Sequence, residues 1–127
     1  MKLRIKGAAV RLRLTRGEVA ALARDGVVEE HVPFAAGARL VYRLCRDATT
    51  REIAATFREG VVEVRVPDAL AREWCWSERV TLAHSQPAPG GALAITLEKD
   101  FACLAPRAGE DESDSFPHPE AAKGKTC

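Results

Sequence analysis

The stretch "KLRIKGAAVRLRLT", residues 2–15, carries Lys2, Arg4, Lys6, Arg11 and Arg13, with Arg16 just beyond and no acidic residue before Glu18. The chemistry that such a row performs is anion binding. Cations spaced along a strand neutralise successive phosphates and release their counterions, and arginine forks reach guanine edges. The same row also reads as the wet face of an antiparallel hairpin with one apolar side. A second charged set lies at the other end of the chain, in "RAGEDESDSFPHPEAAKGKTC". Glu110, Asp111, Glu112 and Asp114 crowd together there, with Phe116 immediately after. This acidic knot is a candidate contact for a protein partner or for the basic hairpin, and the alternative is a solubilising tail.

Other chemistry has less to stand on. Cys103, His118 and Cys127 are metal-ligand types, but no pair among them has zinc-knuckle spacing, so no metal and no cofactor is assigned. His31 and His84 fall on predicted strands and read as structural or exposed rather than as ligands. "PGGAL" has the glycines of a phosphate loop without its lysine or its strand–turn–helix setting. No nucleophile–base–acid set stands out, and the chain is read as non-catalytic. Trp74, Trp76 and Phe101 read as core or tail anchors.

The elements that must position these residues follow from periodicity. Leu3 and Ile5, then Val10, Leu12 and Leu14, alternate with the cations, which predicts a hairpin turning near Gly7. "TRGEVAALARDG" predicts a helix. Thr15 and Glu18 have capping-box spacing, and Gly26 suits the left-handed residue that ends a helix. "VVEEHVPFAAGARLVYRL" predicts two strands, near 27–32 and 38–45. The middle of the chain repeats this order. "EIAATFREGVVEVRVP" predicts a hairpin, "DALAREWCW" a helix, and "RVTLAHSQPAPGGALAITLEKD" two strands around a loop at 86–91. At an offset of 52, Val10, Leu12 and Leu14 align with Val62, Val64 and Val66, Leu22 with Trp74, and Val28 with Val80. The offset is expected to widen by two in the later loop.

The totals bound the rest. A chain of 127 residues, 46% hydrophobic and 29% charged, suits one globular domain. The net charge of +1 hides an uneven spread, since six basic and no acidic side chains fall in residues 1–16. No apolar run reaches the ~20 residues of a membrane span, and no signal-peptide stretch follows Lys2. A cytoplasmic protein without a membrane contact is expected. Cys45, Cys75, Cys103 and Cys127 lack CxxC spacing and read as reduced thiols.

"RIKGAAVRLRLTRGEV" is similar to the opening of MazE-type antitoxins. "VVEVRVPDALAREWCWSERVTL" followed by "ALAIT" resembles the AbrB/SpoVT swapped-hairpin domain, with Pro67 where that family places a helix-starting proline. The resemblance spans residues 2–46 and again 52–98. It departs at Thr15, which replaces the first proline, at Ala8–Ala9 after Gly7, and at Ser77–Glu78. Single-copy members dimerise by exchanging hairpins to close one barrel, so two copies in one chain imply a monomer that closes it alone. The family binds DNA through basic residues on strands and loops, which here implies Lys2, Arg4, Lys6, Arg11, Arg13 and Arg16. The whole chain, with "RLRLTRGEV", "EKDFACL" and "FPHP", also resembles an uncharacterised family of short bacterial proteins.

The expected fold is therefore β-rich α+β: tandem ββαββ units (2–46 and 52–98) forming a pseudo-two-fold swapped-hairpin barrel within a single domain 1–104. The fallback is an open two-layer α/β sandwich. Residues 105–127 form the acidic tail. Two functions are compatible with this reading. One is a nucleic-acid-binding regulator that uses the basic hairpin. The other is a non-catalytic protein-interaction module that uses the tail or an exposed strand edge.

Overall fold

A computed structural model describes residues 1–101. The chain runs β1 (Lys2–Ile5), β2 (Ala9–Leu14), α1 (Arg16–Asp25), β3 (Val27–Ala35), β4 (Ala38–Asp47), β5 (Ala54–Arg58), β6 (Val61–Pro67), α2 (Asp68–Trp76), β7 (Thr81–Ala88) and β8 (Gly91–Lys99). The predicted β-rich α+β content is present in the predicted order, except that the loop expected at 86–91 is a two-residue turn, Pro89–Gly90, with Gln86 inside β7 and Gly91 inside β8. Thr15 caps α1 as its spacing requires: its hydroxyl accepts from the Glu18 amide at 3.3 Å, and the Glu18 carboxylate accepts from the Thr15 amide at 2.9 Å. Gly26 ends α1 at φ 81°, and its N–H donates to the Leu22 carbonyl. Pro67 precedes α2 at φ −50° and ψ 134°, an extended setting compatible with its ring.

The strands form two four-stranded sheets, β1-β2-β8-β7 and β3-β4-β6-β5. Four hairpins are antiparallel, and they join across the chain by two parallel seams, β2 with β8 and β4 with β6. Each sheet therefore takes one hairpin from each half of the chain. Exchanging the first four strands for the last four turns one sheet order into the other. The registers correspond as well: Leu12 pairs with Leu97 and Leu14 with Lys99, while Val64 pairs with Leu44 and Val66 with Arg46.

The expected closed barrel is not what forms. Among the described residues, the edge strands β1, β7, β3 and β5 have no strand partner on their outer sides. Side chains occupy two of the seams instead. On the β7–β5 side, the Gln86 amide accepts from the Ala55 N–H at 2.8 Å and donates to the Ala55 carbonyl at 2.9 Å. On the β1–β3 side, the Tyr42 hydroxyl donates to the Met1 carbonyl at 3.0 Å, and the Met1 amino group pairs with Glu18 and, at 2.8 Å, with Glu30. One amide or hydroxyl satisfies the local backbone without the ladder that closure needs.

The alignment of the two halves also needs correcting. Val28 pairs with Leu44 and is buried, and the residue that pairs with Leu97 and is buried is Leu82. Leu82, not the exposed Val80, is its counterpart. The two extra residues lie between α2 and β7, and a bulge between Pro33 and Ala35 in β3 then brings the offset back by one. One core joins all layers: Leu12, Leu14, Leu82, Ile95 and Leu97 from one sheet, Val28, Leu44, Val64 and Val66 from the other, and Val19, Leu22, Ala71 and Trp74 from the helices. Trp74 is wholly buried, and its indole N–H donates to the Val80 carbonyl at 3.0 Å.

Candidate functional site

The basic row lies on the outer face of the first sheet, but it is not wholly basic. The parallel seam sets Arg13 beside Glu98. Arg13 holds that carboxylate through Nε at 2.9 Å and Nη2 at 2.7 Å, and Arg11 approaches it at 3.8 Å. Lys2 lies 3.2 Å from Asp100. Arg4 and Lys6 are exposed, and Arg4 is the register partner of Arg11 across the hairpin. β8 thus neutralises one end of the row and leaves Arg4, Lys6 and Arg11 as its positive remainder. Arg16 is set apart, at the start of α1.

A different feature has the larger concavity. Between α1, α2 and the end of β8 lies a groove of about 730 Å³. One face of α1 forms its floor, with Val19, Ala20 and Ala23 at helical spacing above Leu14. Trp76 and Phe101 form walls, 80% and 60% exposed. Trp76 is thus not a core anchor, and Trp74 is. Cations stand around the apolar floor: Arg16 and Arg24 on α1, and Lys99 on β8, with Asp100 as the acidic member of the lining. The Cys75 thiol also lines the groove, and burial pushes it above its ordinary range.

The opposite flank of the helix pair has a different chemistry. Arg46 occupies the register position in β4 that Lys99 occupies in β8. It lies 2.8 Å from Asp68, the first residue of α2, and also donates to the Leu22 and Ala23 carbonyls. Asp68 takes a second pair from Arg72, and the two guanidiniums, Arg46 first, hold its carboxyl below the ordinary aspartate range. The residue that begins α1 is Arg16. Where one flank sets arginine against aspartate, the other therefore offers two cations. Lys99 reaches the Ser77 carbonyl at 2.7 Å and lies 5.4 Å from the Trp74 ring centroid. Arg16 has no ion-pair partner among the described residues.

Sequence reasoning found the cations but not the groove. Its signal was present in the spacing of Arg16, Val19, Ala20, Ala23 and Arg24, which is one helical stripe mixing small apolar and basic residues. The tail residues Glu110, Asp111, Glu112, Asp114 and Phe116 lie outside the described residues, as do Cys103, His118 and Cys127. Among the described residues no three His, Cys, Asp or Glu side chains cluster as metal ligands, and no helix is long and apolar enough to cross a membrane. No curated protein and no solved structure matches the chain. A family model does match it, over residues 1–120, and the chain belongs to that family of unknown function, DUF7009.

Proposed function

We propose that this chain is a non-catalytic interaction module that holds a peptide segment in the groove between α1 and α2. The observation that carries the reading is Trp76, which stands 80% exposed beside an apolar floor at the rim of a cavity of about 730 Å³. An exposed tryptophan beside such a floor costs solubility unless something covers it, and tryptophan and arginine are the side chains that concentrate binding energy. The strand edges are poorer contacts. β3 is broken by Pro33 and a bulge, and Gln86 occupies the backbone of β5 at Ala55. Selection of displayed random peptides against the chain tests the reading. Enriched sequences should lose binding to Trp76→Ala and to Ala20→Asp, both exposed positions of the groove lining. Enrichment indifferent to both changes refutes it.

A second reading rests on the Arg4–Arg11 pair. Two exposed or half-exposed guanidiniums in register, with Lys6 beyond, suit the phosphates of a nucleic acid, as the AbrB-like resemblance implies. The same resemblance underlies the proposal that the chain is a duplicated, hairpin-exchanged monomer, acting in the cytoplasm. Its support is the assembly of each sheet from one hairpin of each half.

A further inference from the structure

We infer that the groove's occupant is the chain's own acidic segment, Glu110 to Phe116, docked in cis. This rests on the groove reading above and names its partner.

Three observations carry it. The first is the contrast between the flanks. On one, Asp68 supplies the carboxylate that Arg46 binds at 2.8 Å. On the other, the matching positions are Lys99 and Arg16, so the flank has the cations and lacks that acid. An acidic segment seated there completes it. The second is complementarity. The groove has a cationic rim and an apolar floor, and "EDESDSF" has four carboxylates followed by one aromatic ring. The third is reach. The described fold ends at Phe101, which itself lines the groove. Eight residues separate it from Glu110. They span at most about 30 Å extended and about 16 Å as a flexible chain. A linker of that length presents the segment at millimolar effective concentration, enough to half-fill a site of only millimolar affinity.

The outer face of the first sheet fits the segment less well. There the Glu98 carboxylate already sits on Arg13 and near Arg11, so much of its positive charge is answered within the sheet.

The test uses the full-length, isotopically labelled chain. Backbone and indole shifts of the wild type are compared with those of Phe116→Ala and of a variant with Glu110, Asp111, Glu112 and Asp114 changed to their amides. The differences should centre on Val19, Ala20, Ala23 and the Trp76 indole. A synthetic peptide of residues 108–118 is then titrated into both chains. It should bind Phe116→Ala at least about twofold more tightly than the wild type, whose own segment competes. Differences centred on Arg4 and Arg11, or no differences at all, overturn the inference. If the shifts do not differ while displayed peptides still enrich on Trp76, the groove reading survives and only the cis occupant falls. If neither the variants nor any displayed peptide touches Trp76, both fall.

Discussion

The Arg46 guanidinium lies 2.8 Å from the Asp68 carboxylate and caps the end of the other helix through the Leu22 and Ala23 carbonyls. This one side chain ties β4 to both helices. An Arg46→Met substitution removes the charge and leaves those carbonyls and Asp68 without it. The Leu22 carbonyl keeps the Gly26 N–H and Asp68 keeps Arg72, so the expected cost is that of lost rather than orphaned hydrogen bonds, about 0.5–1.5 kcal/mol, read from urea denaturation.

The same pair sets an acid response. The folded Asp68 carboxyl titrates below its unfolded value because Arg46 and Arg72 favour its charged form. A depressed carboxylate contributes stability that is fully present above the unfolded value and is lost as pH falls through the folded one. The wild type should therefore lose thermal stability more steeply than Asp68→Asn as pH drops through and below the ordinary aspartate range. Melting curves across that range check this, and parallel curves contradict it.

Gln86→Ala should free both backbone groups of Ala55 on an edge strand. The amide of Ala55 should lose its hydrogen-exchange protection, and stability should fall by about 1–3 kcal/mol. Gln86→Glu keeps an acceptor for the N–H but sets a carboxylate against the Ala55 carbonyl, so it should rescue only in part.

If the basic face holds nucleic acid, only Arg4, Lys6 and Arg11 remain to do so. The log–log salt slope on duplex DNA should then be about −3, and Arg4→Glu with Arg11→Glu should abolish binding with little loss of stability. An anisotropy titration at low salt that shows no binding reduces this face to a solvated surface.

Local structure was legible in the sequence, and contacts between halves were not. The alternation of Leu12 and Leu14, the Thr15–Glu18 spacing and Gly26 each dictate a nearby backbone geometry, and the strands and helices formed where those signals stand. The parallel seams join residues more than eighty positions apart in one sheet, as with Arg13 and Glu98, and no local pattern announces them. The basic row therefore looked unopposed when β8 in fact answers it. The groove was hidden by register. An offset of 52 sets Arg46 against Glu98, and 54 sets it against Asp100. Only the bulge at Pro33–Ala35, together with the two residues added after α2, brings Lys99 into its place. A slip of one residue turns a strand's side chains to the other face, so the contrast between Asp68 and Arg16 could not be read before the strands were paired.

The duplicated, hairpin-exchanged monomer proposed above would need no second copy. Light scattering at micromolar concentration should give a mass of about one chain, 13.8 kDa. An obligate dimer counts against exchange within the chain.

The central claim is that the groove beside Trp76 takes an acidic, aromatic-bearing segment because Arg16 and Lys99 stand where the other flank has Asp68 and Arg46. The most direct measurement is calorimetric titration of the 108–118 peptide into the Phe116→Ala chain, with and without Arg16→Asp. Arg16 is exposed, and an acid in the first turn of a helix is well tolerated, so the variant should stay folded. It should weaken the peptide at least about tenfold, a loss near 1.4 kcal/mol, and remove most of the salt dependence of binding. Equal affinity for the two chains contradicts the claim.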